Sequence, residues 1–309
     1  MAKIYRTDDL AFDYHIFEGA SCAFGVFDGV HRGHQFLLER AQETAATSQG
    51  RSLALTFDID PDEVFHPARL KKLLTNEDRL ATLAASGVDA VVVLPFTVEF
   101  SSLGPLQFLE RTFGGHSPAF LHVGFDFRFG SRASGSVTEL LAWGEASHVQ
   151  ICAHDLKSDD GAPITATRIR KLLNAADLKE ANHLLGRPYY LKETVVPGRG
   201  EGADMGFRTA NLSPEFAFRV LGEGVYAAYT TVDEVRYKAA VSVGISPVFA
   251  GESTASCEVH ILDFSGDLYG REVKVEFLEF LRPMIKFETT EALIKTVMGN
   301  IDWVRQNLA

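Results

Sequence analysis

The strongest constraint on the fold is a series of short apolar runs in the first half of the chain. Candidate strands lie at residues 22–27, 53–57, 90–94, 120–124 and 149–154. Stretches with helical spacing of apolar residues separate them, at residues 34–48, 76–85, 105–112 and 137–145. Strands that are apolar on both faces and alternate with helices predict a parallel sheet covered on both sides. We therefore expect a Rossmann-like α/β domain, with ligands at the carboxyl ends of its strands.

The pattern changes after Gly186, once two further helical stretches at residues 166–173 and 178–185 have closed this half. Strand candidates then follow one another at residues 189–196, 224–231, 236–243, 256–264 and 272–281. Gly-rich turns separate them, and helical spacing returns only at residues 290–308. This order predicts a small antiparallel β-barrel with a packed C-terminal helix. The predicted domains are residues 1–185 and 186–309.

Composition narrows the partners and the compartment. The chain has 30 Lys and Arg against 41 Asp and Glu, a net charge of −11, which argues against an extended nucleic-acid surface. It has no apolar run of the ~20 residues that span a membrane and no signal-peptide pattern at its start. Its cysteines form no CxxC pair, as is typical of a reducing compartment. We expect a cytoplasmic protein that binds neither nucleic acid nor a membrane.

A phosphate-binding motif follows the first strand, where residues 25–34 read GVFDGVHRGH. His31 and His34 are three residues apart at the start of the first predicted helix, so their imidazoles point to one side. The unpaired N–H groups of a helix start point the same way, and Gly29 and Gly33 allow close backbone approach. Because the motif places no nucleophile, it favours direct displacement at phosphorus with charge stabilisation as the main catalytic effect.

A second motif, TATRIR at residues 165–170, opens the last helix of this half. Thr165 and Thr167 offer hydroxyl groups, and the guanidinium of Arg168 matches phosphate oxygens. Taken alone, the segment is more typical of a capped helix with solvated arginines. Its position after the fifth strand favours a role at the same edge of the sheet.

Together with further segments, these motifs resemble one family, the bifunctional bacterial riboflavin kinase/FMN adenylyltransferases, or FAD synthetases. The resemblance runs from about residue 20 to about residue 305 and includes VGFDFRFG, LLGRPY, GFRTANL, CEVHILDF and DLYGREVKVEF in that order. It implies an HxGH nucleotidyltransferase domain in the first half. There, the FMN phosphate attacks the α-phosphorus of ATP and yields FAD and pyrophosphate.

The resemblance also implies roles for residues of the first half. His31 and His34 hold the ATP phosphates, and Arg168 neutralises the departing pyrophosphate. Nucleotide or flavin contacts are implied at Gly25, Phe27, Asp28, Gly33, Asp126, Phe127, Thr165 and Thr167. ATP, FMN and FAD are then substrates or products. Mg²⁺ is expected on charge grounds, since ATP is polyanionic and the chain is already acidic.

For the second half, the resemblance implies a riboflavin kinase that moves the γ-phosphoryl group of ATP to the ribityl hydroxyl. Thr209 and Asn211 are implied as hard oxygen ligands for Mg²⁺ and ATP. Glu258 is implied as the base that accepts the hydroxyl proton. On strand alternation alone, Glu258 is more typical of an outward-facing residue beside solvent.

Several positions depart from the family pattern. Ile59 and Asp60 replace a Pro-His pair, so a cation near the phosphates is expected to be missing, and Ala166 replaces a serine. In the kinase half, the departures are Ala203 for Arg, Arg208 for Pro, Ser242 for Asn and Val248 for Thr. Each charge-assisted hydrogen bond lost there costs about 1.5–3 kcal/mol. We expect adenylylation to be retained and the kinase to be weakened or lost.

Two alternatives stay open. One is a catalytically silent regulatory protein that binds flavin nucleotides. The other is an adenylyltransferase of a different phosphorylated acceptor, such as a pyridine mononucleotide or phosphopantetheine, although the barrel half argues against it. A class I aminoacyl-tRNA synthetase shares HxGH, but this chain is short and acidic for that class.

Overall fold

The computed structural model describes residues 1–65, 71–198, 207–213, 221–245 and 255–308. The chain divides into two compact units, Met1–Leu70 with Leu74–Ala166, and Lys71–Leu73 with Thr167–Ala309. The helices at residues 166–174 and 178–185, which we assigned to the first domain, thus fall almost entirely in the second unit. The domain boundary after residue 185 stays a prediction. Among the described residues, no helix combines the length and apolar character needed to cross a bilayer.

The first unit contains a six-stranded, all-parallel sheet, as the apolar runs predict. Its strands are β1 (Lys3–Arg6), β2 (Ser21–Phe24), β3 (Ser52–Phe57), β4 (Ala90–Leu94), β5 (Phe120–Gly124) and β6 (Gln150–His154). Their order is β1-β4-β3-β2-β5-β6. The edge strand β1 was not predicted because its sequence, KIYR, is largely exposed and carries two charges. A short antiparallel hairpin, β7 (Ser158–Asp159) and β8 (Ala162–Pro163), follows the sheet.

Helices separate the strands of this unit. They are α1 (Arg32–Ser48), α2 (Pro61–Phe65), α3 (Asn76–Ala84), α4 (Val98–Ser101), α5 (Pro105–Phe113) and α6 (Val137–Ser147). Helix α1 buries Leu37, Leu38, Ala41 and Ala45 and packs on β2, β3 and β5. Phenylalanine rings fill much of the core, such as Phe17 against Phe113 at 5.1 Å between ring centres.

Strand β2 lies in the interior of the sheet, where the strand order reverses. It pairs with β3 on one side and with β5 on the other. In such a sheet, a crevice opens beyond the carboxyl ends of the two strands that flank the reversal of strand order, here β2 and β5. The loops that follow Phe24 and Gly124 border this crevice.

The prediction that the first strand extends to residue 27 is wrong. Strand β2 ends at Phe24, and the backbone then turns through a short 3-10 segment, Asp28–Val30. Phe27 has φ 59 and Gly29 has φ 74, both in the left-handed region, which cannot continue an extended strand. The apolar run thus continues past the strand into the turn that leads to α1.

The second unit contains a closed antiparallel barrel and a C-terminal helix, as predicted. After α7 (Ala166–Asn174) and α8 (Leu178–Leu185), its strands are β9 (Tyr189–Val196), β10 (Ala210–Leu212), β11 (Gly224–Val232), β12 (Val235–Ile245), β13 (Ala255–Ile261) and β14 (Glu272–Arg282). The barrel closes in the order β10-β13-β12-β11-β14-β9. Helix α9 (Thr290–Asn307) packs on β12 and buries Ile301 and Val304. Strand β13 ends three residues earlier than predicted, before Asp263 with φ 58.

Candidate active site

A cavity of about 250 Å³ lies at the crevice beyond β2 and β5. Its wall comes from residues between positions 24 and 37, between 124 and 127, and between 154 and 166. Nine of the residues singled out from the sequence line it: Gly25, Phe27, His31, Gly33, His34, Asp126, Phe127, Thr165 and Ala166. The fold thus brings together the GVFDGVHRGH motif, the loop after β5 and the first two residues of the second motif.

The two imidazoles stack face to face at the amino end of α1. Their ring centres are 3.6 Å apart, with 18° between the planes. His31 is the N-cap of α1, and its Nδ1 accepts a hydrogen bond from the backbone N–H of His34 at 3.4 Å. In the neutral ring of His31, the proton therefore sits on Nε2, which can donate to a phosphate oxygen.

His34 is a neutral imidazole with an unsatisfied atom. Burial holds its pKa well below the usual range, and the charges of His31 and Arg79 lower the pKa further. Its Nδ1 is buried and has no hydrogen-bond partner within the described part of the chain. A bound ligand is one way in which such an atom is satisfied.

The backbone around the histidines leaves little room. A Cβ on Gly33 would lie 3.1 Å from both the His31 ring and the carbonyl oxygen of Ile164. Phe27 holds a left-handed conformation that costs a residue other than glycine free energy, and its ring meets the His34 ring edge-on at 5.3 Å. Strain of this kind is typical of loops whose shape serves a function.

The loop after β5 forms the opposite wall. Gly124 lies close to Asp126, since a Cβ on Gly124 would lie 2.8 Å from the carboxylate of Asp126. Asp126 is exposed at the cavity, and Phe127 is half-buried with its ring 5.2 Å from that of Phe24. Phe125 is 67% exposed beside them. This wall therefore presents one carboxylate and aromatic surface.

His154 and Lys157 also line the cavity, and sequence reasoning missed both. His154 Nε2 lies 2.9 Å from Nδ1 of His122. Burial lowers the pKa of His122 to about 4. Lys157 gives the cavity a cation, although the change at Ile59 and Asp60 led us to expect one to be missing. Both residues lie at or just after the end of β6, so the rule that selected the loop after β2 would have found them.

Arg79 on α3 is a further residue that the sequence did not reveal. It is only 2% exposed, and its guanidinium donates to the carbonyl of Val26 at 2.9 Å, the hydroxyl of Thr56 at 2.7 Å and the carbonyl of Phe57 at 2.7 Å. Burial lowers its pKa, and the charge of Asp60, followed by those of nearby carboxylates, opposes that effect. Arg79 thereby fixes the loop after β2 to the end of β3.

Two acidic residues near this loop, Asp28 and Asp60, accept hydrogen bonds from backbone N–H groups. Asp28 is 5% exposed, does not line the cavity, and accepts a hydrogen bond from the N–H of Leu74 at 3.4 Å. Asp60 accepts from the N–H of Asp62 at 3.0 Å, while Glu63 accepts from the N–H of Asp60 at 2.9 Å. Asp60, which departs from the family pattern, therefore has a structural role in this chain: its carboxylate accepts a backbone hydrogen bond at the start of α2.

Thr167 and Arg168 belong to the second unit, whose main segment begins at Thr167. Thr167 is exposed, and Arg168 Nη2 donates to Glu180 Oε1 on α8 at 2.8 Å. Their role at the leaving pyrophosphate stays a prediction. Glu180 carried no signal in the sequence, since it reads as an ordinary residue of a helical first turn.

Two of the residues predicted for the kinase, Asn211 and Glu258, lie side by side on neighbouring strands of the barrel, and Thr209 immediately precedes β10. Glu258 on β13 is the register partner of Asn211 on β10 and of Ser242 on β12. All three are half-buried, and register partners have adjacent side chains. Thr209 lies two residues before Asn211 and lines a second cavity, of about 800 Å³, together with Arg208, whereas Asn211 and Glu258 are not among the residues that line this cavity. Ala203 and Val248 lie outside the described residues.

The first unit is thus an α/β domain with a histidine-lined cavity at its switch point. The second unit is a closed barrel in which Asn211, Glu258 and Ser242 lie on adjacent strands. A family profile described as FAD synthetase matches residues 14–168, and one described as riboflavin kinase matches residues 185–308.

Among curated relatives, bifunctional riboflavin kinase/FMN adenylyltransferases are similar over most of their length. The one from Listeria monocytogenes is 34% identical over 88% of this chain and 87% of its own. The one from Escherichia coli K12 is 33% identical over 89% and 88%. A crystal structure described as a macrolide-efflux protein from Streptococcus pneumoniae has a TM-score of 0.81 and 29% identity, over 94% of this chain and 95% of its own. The chain belongs to the bifunctional riboflavin kinase/FMN adenylyltransferase family.

Proposed function

We propose that the first unit makes FAD in the cavity beyond β2 and β5, by transferring AMP from ATP to FMN with release of pyrophosphate. The observation that carries this proposal is the stacked pair of His31 and His34 at the amino end of α1, with the buried Nδ1 of His34 left without a partner among the described residues. Two imidazoles and a positive helix end favour the binding of phosphate oxygens. The family profiles and relatives indicate ATP, FMN and riboflavin as the substrates.

The reaction needs charge stabilisation more than proton transfer. An FMN phosphate oxygen bonds to the α-phosphorus of ATP, and the bond to the bridging oxygen breaks, so pyrophosphate leaves with the electron pair. His31 donates from Nε2 to a phosphate oxygen that gains charge, and an oxygen placed at His34 Nδ1 satisfies that atom. Lys157 adds a cation at the cavity wall. Arg168 is our candidate for the leaving pyrophosphate.

We further propose that Thr209 and Asn211 bind Mg²⁺ for the kinase reaction, with Glu258 as the base. The hydroxyl and amide oxygens of Thr209 and Asn211 are donors that Mg²⁺ prefers, and the carboxylate of Glu258 lies beside Asn211. Bound there, the ion supplies neutralisation of ATP phosphate charge. The side chain of Asn211 packs closely against Gly198, since a Cβ on Gly198 would lie 2.0 Å from the amide nitrogen of Asn211.

The adenylylation site is tested with the double change His31→Ala, His34→Ala. We expect FAD formation from FMN, ATP and Mg²⁺ to fall about 10³-fold or more, because loss of a single donor to developing charge already costs about 10²–10³. FAD and pyrophosphate are measured after separation from FMN. The matched control is His148→Asn, an exposed histidine at the carboxyl end of α6, which should leave the rate unchanged. Unimpaired FAD synthesis in the double variant contradicts the site.

The kinase is tested by supplying riboflavin in place of FMN. We expect FMN to form more slowly than FAD forms from FMN, because the loss of two charge-assisted hydrogen bonds slows the kinase reaction itself by roughly a hundredfold or more. The double change Arg208→Pro, Ser242→Asn restores residues typical of the family, and Ser242 is the register partner of Glu258. That variant should phosphorylate riboflavin faster. Equal turnover of the two substrates by the unchanged chain argues against a weakened kinase.

A further inference from the structure

Two imidazoles and a carboxylate converge at the edge of the first unit opposite the cavity. His15 lies in the 3-10 helix Tyr14–Phe17, Glu18 follows that helix, and His116 follows α5. These segments precede the amino ends of β2 and β5, whereas the cavity lies beyond their carboxyl ends. The cluster therefore has no part in the site described above.

The three side chains meet at one oxygen atom. Glu18 Oε1 lies 3.0 Å from Nδ1 of His15 and 2.8 Å from Nδ1 of His116. One ligand atom from each residue lies within 4.8 Å of those of the other two. The two imidazole rings are 4.3 Å apart between centres. Two imidazoles that share one carboxylate oxygen at this spacing have the reach of a metal site.

Buried residues hold the segments that carry the three side chains. Phe17 is fully buried and packs on Phe113 of α5. The carboxylate of Asp13 accepts from the N–H of His15 at 3.0 Å. A Cβ on Gly114 would lie 2.5 Å from the Tyr14 ring, so the start of the His116 segment lies directly on the 3-10 helix. The frame is therefore set before any ion binds.

We propose that His15, Glu18 and His116 form a binding site for a divalent transition cation of the zinc type. Two nitrogens and one carboxylate oxygen suit Zn²⁺, which binds nitrogen at about 2.0–2.1 Å and oxygen at about 2.0–2.2 Å. Ligand atoms around such an ion are separated by roughly 3.3 Å. The nitrogen–oxygen distances of 3.0 and 2.8 Å need to widen by only a few tenths of an ångström.

Solvent completes the coordination. The side chains are 63%, 56% and 30% exposed for His15, Glu18 and His116, which leaves room for one or more water ligands. Mg²⁺ and Ca²⁺ are disfavoured, since both prefer oxygen ligands throughout. A bound ion joins the segment before β2 to the segment before β5, so it stabilises the first unit by binding only the folded chain.

The test is titration of the full chain, carrying no affinity tag, with Zn²⁺ alone. We expect one ion per chain with micromolar or tighter affinity, and a rise of several degrees in the unfolding temperature. Glu18→Gln should weaken binding at least tenfold, and the double change His15→Ala, His116→Ala should abolish it. The control His148→Asn and the double change His31→Ala, His34→Ala should both retain the site.

Co²⁺ absorption is a second measurement of metal binding, and circular dichroism shows whether each variant is folded. Co²⁺ in place of Zn²⁺ should give visible absorption in the unchanged chain, and Glu18→Gln should alter that spectrum while circular dichroism stays the same. FAD synthesis should be unaffected by His15→Ala, His116→Ala. The proposal is rejected if that variant binds Zn²⁺ as tightly as the unchanged chain, or if the unchanged chain binds none at micromolar Zn²⁺.

Discussion

At the scale of single residues, Arg79 shows how a group outside the cavity determines the geometry within it. Its guanidinium binds the carbonyl of Val26, in the loop that carries the phosphate motif, and also the end of β3. The negative charges of Asp60, Asp28, Glu63 and Asp58 oppose the lowering of its pKa by burial. Removing a buried cation leaves such carboxylates uncompensated and typically costs 3–5 kcal/mol. Arg79 is therefore a positioning residue for the His31–His34 pair.

This role predicts a graded response to substitution. Arg79→Met removes both charge and donors, and we expect it to lower FAD synthesis about a hundredfold and to lower the unfolding temperature. Arg79→Lys keeps the charge facing the carboxylates and should retain more than a tenth of the rate. Rates with FMN are compared with those of the unchanged chain and of the control His148→Asn. If Arg79→Met and Arg79→Lys lose the same fraction of the FAD synthesis rate, the positive charge of Arg79 is not what supports that rate.

What the sequence predicts at this scale depends on whether a residue's environment is local. The positions of His31, His34 and Gly33 followed from their spacing and from the strand before them, and all three line the cavity. Arg79 carried no signal, because its burial depends on strands that are distant in sequence. The ion pair of Arg168 with Glu180 was equally hidden, since it depends on how α7 and α8 are joined.

At the scale of elements, apolar periodicity predicted most strands because burial on both faces leaves a clear mark. Strands β4 and β5 have the predicted bounds. Strand β2 does not, because the run CAFGVF stays apolar beyond the strand, through the half-buried Gly25 and Val26 to the buried Phe27. Strand β10 has only three residues, too few for a pattern to show. Register was not predictable either, and it is register that places Glu258 beside Asn211.

Helix α9 contains a glycine whose replacement should stabilise the second unit. Gly299 lies exposed within this helix, and a Cβ there would meet no atom within 4 Å. Because glycine costs a helix interior about 0.5–1 kcal/mol relative to alanine, Gly299→Ala should stabilise the second unit by that amount. The matched control is Gly270→Ala, which has equal space but φ +71 and should destabilise. Urea midpoints of the two variants should move in opposite directions.

At the scale of the whole molecule, histidines with a lowered pKa are unevenly distributed. Among the described residues, burial lowers the pKa of His34, His122 and His154, and all three lie in the first unit. In each, the unfolded chain binds the proton more tightly than the folded unit does. Stability is then fully present above about pH 6.5 and is lost as the pH falls toward the folded pKa, about 4 for His122.

The two tryptophans allow this asymmetry to be measured, because Trp143 lies in the first unit and Trp303 in the second. In single-tryptophan chains, made with Trp303→Phe or Trp143→Phe, urea unfolding is followed by fluorescence at pH 7.5 and pH 5. We expect the Trp143 transition to lose stability at pH 5, and the Trp303 transition to move much less. His122 alone contributes at most about 3 kcal/mol over its full window. Replacing it with Gln should therefore reduce the pH dependence of the Trp143 transition, and equal shifts of both transitions would contradict the assignment to buried imidazoles.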